Sequence, residues 1–332
     1  MKTETTPTVP HPRKRYTRYV VGYLAATIGS VWALALFYLI NFDVAVAVLG
    51  NLELTNPIVV VILHSPAIAA VVIILFHDGL RGLANFARTL IPRRKDYLWL
   101  LVLMAIMALY IFAVRYLCIL FGLPVPANPQ APLEMLVTWL QLLIMEIGML
   151  AITVGWFGFF LPYMHRVTKS HVLSGVATGV GIGVFVAPGN LFSSFELATA
   201  WPLYVGQLCV LSIGMSLLLS RMKGNILFFL MPFWVSASGS AMRLYYFTAA
   251  TQVVQFTLFA VLVGVLYLVL KRQAPDGVLD APHTFPEYLE NAYTVRMGAV
   301  VPGSGDRSAE APHGAPAGEL TSAVARAGED QA

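Results

Sequence analysis

Few side chains in the middle of this sequence could do acid–base chemistry. The stretch 135–275 holds two carboxylates, Glu146 and Glu196, and two histidines, His165 and His171. A hydrolytic site needs a group that takes a proton and an electropositive group that stabilises the anion that forms. Glu146, His165 and His171 are therefore the groups from which a proton-transfer site could be built here.

The residues that must position these groups are overwhelmingly apolar. Of the 332 residues, 58% are hydrophobic and only 11% are charged, whereas about a quarter of the residues in a soluble globular domain are charged. The apolar stretches are long enough to cross roughly 30 Å of hydrocarbon as helices of about 20 residues. They do not alternate with a period of two, which favours helices over barrel strands. The composition predicts an all-α bundle that spans a membrane many times.

The apolar stretches predict eight membrane-spanning helices. The expected spans are 19–41, 57–76, 97–121, 133–160, 172–187, 201–220, 225–242 and 252–270. Lys and Arg collect in every second connection, whereas the connections 41–56, 122–134 and 188–200 contain neither residue. Basic connections stay on the cytoplasmic side. The sequence therefore predicts a multi-pass protein of the cell membrane with both termini in the cytoplasm.

Charge and composition divide the chain into three parts. We expect a basic N-terminal segment at 1–18, a helix bundle at 19–272 and a disordered tail at 273–332. Residues 274–332 hold 3 basic and 9 acidic side chains and are rich in Pro, Gly, Ala and Ser, a composition that cannot bury a core. Only 283–293 is a candidate for local order in the tail. The basic cytoplasmic face complements anionic lipids and does not indicate nucleic acid. The expected partner is the lipid bilayer, and another membrane protein is a second candidate.

Three segments resemble parts of one protein family. They are SPAIAAVVIILFHDGLRGLANFARTLIPRRKDYLWLL at 65–101, GWFGFFLPYMHR at 155–166 and LLLSRMKGNILFFLMPFW at 217–234. Together they resemble the CPBP family of membrane proteins, also called the ABI or CAAX-protease-like family, over roughly 57–245. The resemblance implies a CPBP-like helix bundle and, for active members, cleavage of a peptide bond within the membrane.

The residues that active members use are missing at the matching positions. The paired glutamates of the family fall on Ile152 and Thr153, its arginine falls on Phe157, and its histidines fall near Val186 and Phe233. None of these side chains can supply a carboxylate, a cation or an imidazole. The resemblance therefore implies a pseudoenzyme with no catalytic residue, no metal and no cofactor.

Glu146 has two interpretations. It lies seven residues before Thr153, on nearly the same helix face but about 10 Å away along the axis. Ionisable residues inside a membrane are functional candidates, for example in proton transfer. In the structural interpretation, Glu146 is protonated or is satisfied by a neighbouring hydroxyl, amide or Arg115.

Other polar and small residues are expected to be structural. His64 should be a satisfied buried histidine, and Arg115 and Arg243 should reach the lipid headgroups. We expect His165 and His171 to be solvated in a cytoplasmic connection, and Tyr245 and Tyr246 to be interfacial anchors. Glycines four residues apart form a ridge that fits another helix, either within the bundle or from a partner protein. They are Gly175, Gly179 and Gly183.

Three functions remain open at this point. The leading hypothesis is a non-catalytic CPBP-like protein that works by binding, as a scaffold or regulator of another membrane or envelope protein, or as a lipid- or peptide-binding protein. The alternative is an active intramembrane endopeptidase that uses Glu146, His165 and His171. A second alternative is a transporter of small molecules or ions, with Glu146, Arg115 and Gln141 along its path.

Overall fold

A computed structural model describes residues 12–51, 56–92, 94–146, 149–192, 201–221, 224–225 and 238–282. Every regular element in these ranges is helical. The α-helices are α1 (Pro12–Ile40), α2 (Phe42–Leu49), α3 (Pro57–Leu63), α4 (Ser65–Leu90), α5 (Arg94–Leu120), α6 (Pro132–Glu146), α7 (Leu150–Thr153), α8 (Leu161–Thr168), α9 (His171–Phe192), α10 (Trp201–Leu219) and α11 (Ala249–Gln273). A π-helix, Val154–Phe160, joins α7 to α8.

Six helices in the described part of the chain are long and apolar enough to cross a membrane. They are Tyr16–Ile40, Ser65–Leu90, Leu100–Leu120, His171–Pro188, Trp201–Leu219 and Ala249–Gln273. The chain is thus a multi-pass, all-helical membrane protein in the residues described. The predicted span 225–242 lies mostly outside those residues, and two of the other predicted spans, 57–76 and 133–160, differ from single helices.

The segment predicted as one span at 133–160 is divided. Its first part is α6, which ends at Glu146, and its last part is the π-helix that precedes α8. The backbone N–H of Leu161 donates to the carbonyl of Trp156, five residues back. Pro162 follows directly and has no N–H to donate to the preceding turn. The wide turn ahead of a proline is the local reason why one uniform α-helix does not form here.

The segment predicted as a span at 57–76 is also interrupted. His64 separates α3 from α4, and its ring Nδ1 lies 2.7 Å from the carbonyl oxygen of Val60. A carbonyl only accepts, so Nδ1 carries the hydrogen. His64 is half-buried, and this bond satisfies one of its two ring nitrogens.

The largest core cluster joins α1, α4, the π-helix, α8, α9 and α10. Aromatic rings dominate its centre. Trp156 packs edge-on against Tyr23 at 5.2 Å between centroids and against Phe160 at 5.1 Å, while Tyr23 stacks on Phe159 at 5.4 Å. Such edge-to-face and offset pairs add about 0.5–1.5 kcal/mol each to the packing.

The glycine ridge of α9 packs against α10 of the same chain. A Cβ at Gly179 would overlap the backbone nitrogen and Cα of Cys209, and one at Gly175 would lie 2.6 Å from the backbone nitrogen of Ile213. Gly183 faces the side chain of Val205. Small residues are needed here because helices in lipid gain stability from close backbone approach. This face of α9 is filled within the bundle.

A proline inside α9 is compensated by a tryptophan of α1. Pro188 has no N–H, so the carbonyl of Val184, four residues earlier, loses its helical donor. The indole Nε1 of Trp32 donates to that carbonyl at 3.0 Å. Without water, an unsatisfied carbonyl in the hydrocarbon region is costly. The hydrogen bond therefore ties α1 to α9 where α9 is weakest.

We expect Trp32→Phe to lower the free energy of unfolding by about 1–3 kcal/mol, because it leaves the Val184 carbonyl unpaired. The loss should shrink in a Pro188→Ala background, where the N–H of residue 188 can pair with that carbonyl. Thermal unfolding of the wild type, both single variants and the double variant in mild detergent measures the coupling. An equal loss in both backgrounds would show that the indole matters only as packing volume.

Candidate functional site

Three of the positions to which the sequence resemblance assigned catalytic residues lie inside the core. Ile152, Thr153 and Phe157 are 3%, 0% and 1% exposed. The hydroxyl of Thr153 donates to the carbonyl of Leu150 within its own helical turn, at 3.0 Å. Val186 is half-buried and packs against the same cluster, while Phe233 lies outside the described residues. The described positions are packed with apolar groups and offer no base for a water molecule.

The residues around them have a packing role. Gly155 lies against the backbone of Pro66 at the start of α4, where a Cβ would overlap Pro66. Gly181 of α9 lies against the indole of Trp156, and a Cβ there would come within 2.7 Å of the ring atom Cζ3. Because Gly155 has no side chain, the π-helix can lie directly against α4. The indole of the next residue, Trp156, fills the space beside α9. This geometry explains the sequence GWFG without any reference to catalysis.

Two polar atoms of this core are buried with no hydrogen-bond partner in the part of the chain described. They are Oη of Tyr23 and Nε1 of Trp156. An unpaired buried donor costs about 1–3 kcal/mol. The cluster carries this cost because the two large rings supply most of the contact among α1, the π-helix and α9.

His165 and His171 form a second polar group, at the joint between α8 and α9. Each side chain is 6% exposed, and the ring centroids are 4.4 Å apart. The expectation that they are solvated is wrong. Lys169 ends α8 in the left-handed conformation, with φ 57°, and its N–H donates to the carbonyl of His165 at 2.7 Å. This tight reversal folds the end of α8 back onto the start of α9.

His171 joins three parts of the chain. Its Nδ1 lies 2.8 Å from the hydroxyl oxygen of Ser216 on α10, and its Nε2 lies 3.0 Å from the backbone carbonyl oxygen of Asp280. The carbonyl only accepts, so Nε2 carries a hydrogen; in the neutral ring, Nδ1 then accepts from Ser216. The imidazole works here as a connector between α9, α10 and the segment that follows α11.

His165 is neutral at physiological pH. Burial is the main cause that lowers its pKa from 6.5 to about 4, and the neighbouring His171, Arg166 and Lys169 contribute to this shift in that order of importance. A general base works best with a pKa near the operating pH. The pKa of His165 is below the range that suits this role.

The segment after α11 turns back onto the bundle. Gly277 adopts φ 64° in the turn, and Leu279 packs against a small cluster around Leu217 and Leu270. The carboxylate of Asp280 lies 3.6 Å from the guanidinium of Arg221, but both side chains are exposed. An exposed ion pair contributes at most about 1 kcal/mol. Residues 274–282 thus lie against the bundle, and the rest of the predicted tail, including 283–293, lies outside the described residues.

Two of the three polar residues considered for transport are hydrogen-bonded or exposed. The guanidinium of Arg115 donates to the carbonyls of Pro126 and Leu244, the latter at 2.8 Å. Gln141 is exposed on α6. Glu146 is the last residue of α6, and its side chain lies outside what the structure describes. Arg115 therefore links the connection that contains Pro126 to the connection that contains Leu244.

Sequence reasoning missed two features of these groups. Tyr245 is buried, and its hydroxyl accepts from the side-chain amide of Gln255, whereas Tyr246 is exposed as an anchor would be. The pairing of His165 with His171 had one local signal. Lys169 and Ser170 follow a helix that ends in basic residues, which is typical of a tight helix end.

Comparison with models of protein families finds no match for this chain, and comparison with curated proteins finds no match either.

Proposed function

We propose that this chain is a CPBP-like membrane protein that has lost peptide-bond hydrolysis and works by binding, as a scaffold or regulator of another membrane or envelope protein, or by holding a lipid or peptide. The observation that carries the proposal is the burial of Ile152, Thr153 and Phe157 in an apolar core. A hydrolytic centre needs water, a base and a cationic stabiliser at one point. These three positions supply none of them.

We also propose how the protein is oriented in the membrane. The alternation of basic and uncharged connections supports a location in the cell membrane with both termini in the cytoplasm. Single cysteines at 41–56, treated with a membrane-impermeant thiol reagent on intact cells, test it. Labelling from outside is expected, and protection until the cells are opened would reverse the orientation.

We expect no peptide-bond cleavage by the purified protein. The test incubates nanodisc-reconstituted protein with a prenylated peptide and with a membrane-spanning peptide, and follows the products by mass spectrometry. The controls are Glu146→Gln and His171→Ala, which remove the carboxylate and an imidazole from the alternative protease mechanism. Cleavage by the wild type that disappears in Glu146→Gln would overturn the non-catalytic proposal.

Binding is tested by photo-crosslinking in growing cells. A photoreactive residue replaces Val180 on α9, Leu109 on α5 or Val265 on α11, which are exposed on different helices, or the buried Thr178 as a control. A protein partner should give an adduct of one discrete mass at one of the exposed positions and none at Thr178. A bound lipid or peptide should give a small adduct at one position. Only unspecific lipid adducts, equal at all exposed positions, would contradict a binding function.

A further inference from the structure

Helix α4 consists of two segments of different character. Gly79 interrupts it with φ 66° and ψ −168°, values that lie outside the helical region. The part before Gly79, together with α3, contains no Lys or Arg, whereas Arg81 and Arg88 follow directly after it. Arginines are strongly disfavoured in the hydrocarbon interior. The membrane-crossing part should therefore end near Gly79; residues 80–91 are called the basic segment below.

One side of the basic segment is fixed to the bundle. Phe86 and Gly82 are buried, and Leu83 and Leu90 pack against the largest core cluster. Gly82 allows the two parts of α4 to approach closely across the interruption at Gly79, because a Cβ there would overlap the Cβ of Asp78. The segment is thus a defined part of the fold, and its orientation around its own axis is set.

The opposite side carries two neighbouring stripes. Leu80, 76% exposed, continues along the helix through the exposed Ala84 and Ala87; the intervals of four and three residues place these on one line. Arg81 and Arg88 are exposed, seven residues apart, and lie about 100° around the helix from the apolar line. A helix in water would not need an exposed apolar line, and a helix inside the hydrocarbon would not carry the arginines.

We infer that the basic segment lies in the membrane–water interface and binds anionic phospholipids, with the line through Leu80, Ala84 and Ala87 at the acyl chains and Arg81 and Arg88 on the headgroup phosphates. Acyl chains for the apolar line and phosphates for the arginines are both within reach only at the membrane–water interface. Arg94, also exposed, continues the positive charge at the start of α5. The occupant is anionic because the exposed charges of the segment are cationic.

Depth-dependent quenching tests the placement. Single cysteines at Leu80 and Ala87, in a background with Cys118→Ala and Cys209→Ala, carry a bimane label in nanodiscs. Lipids with a doxyl group near the headgroup should quench both labels. Leu109 is the control for the acyl region and Val278 is the control for water, and both are exposed. Quenching of the Leu80 and Ala87 labels by aqueous iodide alone would overturn the interfacial placement.

Lipid retention tests the choice of occupant. Native mass spectrometry compares bound phosphatidylglycerol with phosphatidylcholine for the wild type and for the Arg81→Gln/Arg88→Gln double variant. We expect the variant to lose phosphatidylglycerol affinity by about fivefold for each arginine. The matched control is Lys271→Gln/Arg272→Gln, an exposed basic pair at the end of α11, which should retain the lipid. Equal losses in both variants would indicate unspecific charge attraction and overturn the site.

The acidic tail of the chain is the competing occupant of the same arginines. A chain that ends at residue 282 removes the tail and leaves the described bundle. Phosphatidylglycerol binding and label quenching should be unchanged in this variant. A large rise in lipid binding on truncation would mean that the tail covers the basic segment in the intact protein, and the lipid assignment would be wrong.

Discussion

Gly179→Ala should destabilise the bundle strongly, because the added Cβ would overlap the backbone of α10 at Cys209. Overpacking usually costs about 1–3 kcal/mol, and we expect the upper end of that range. A flexible side chain could move away, but here two helix backbones have to separate. Thermal unfolding in mild detergent, followed by the loss of a monodisperse size-exclusion peak, measures the effect.

Two other glycines are matched controls for this prediction. Gly264 in α11 has nothing within 4 Å of an added Cβ, and Gly183 in α9 meets only the Val205 side chain, at 3.0 Å. Gly264→Ala should be neutral or stabilising by up to about 1 kcal/mol, because alanine is the better helix former. Gly183→Ala should fall between the two. If Gly179→Ala unfolds at the same temperature as Gly264→Ala, the close approach of α9 to α10 is wrong.

Trp156→Ala should cost about 3 kcal/mol, near the low end of the range for truncating a buried tryptophan. Part of that range reflects transfer from water, and in a membrane the alternative surroundings of the indole are lipid tails. The remaining loss comes from the contacts with Tyr23, Phe160 and Phe185. The Trp156→Phe control should lose much less, because it keeps a ring and removes a buried donor that has no partner in the described chain.

The contact between Gly181 and Trp156 allows this prediction to be tested with a double-mutant cycle. Gly181→Ala should destabilise the wild type, because its Cβ would lie 2.7 Å from the indole of Trp156. The same change should cost less in the Trp156→Phe variant, whose smaller ring leaves room. A coupling of about 0.5–3 kcal/mol is typical of residues in contact. Strictly additive effects would mean that the indole and Gly181 do not share this space.

Both predictions concern residues of α9 and the residues that pack against them. If Trp156 and the glycines around it act through packing alone, their variants should lose stability and binding together. A variant that keeps its unfolding temperature but loses a captured partner would instead assign the region to recognition. The stability measurements therefore also discriminate between architecture and function.

Local composition was sufficient to predict several of the membrane-spanning helices. The free energy of placing a segment in hydrocarbon is approximately a sum over its own residues, so the apolar runs predicted α1, α5, α9, α10 and α11 without knowledge of their neighbours. The residue types at Ile152, Thr153 and Phe157 exclude a carboxylate, a cation or an imidazole at these positions, whatever the geometry. The spacing of Gly175 and Gly179 indicated a helix contact but left two candidates for the other helix.

Only the tertiary structure decided which groups meet. Trp32 satisfies a carbonyl 152 residues away, and His171 binds the carbonyl of Asp280, 109 residues away; neither pairing has a local signal. His165 was predicted to be solvated because its sequence neighbours include Arg166 and Lys169. The prediction was wrong because other helices bury it. Burial and hydrogen-bond partners depend on which helices pack together, and that choice is made by contacts between segments distant in the chain.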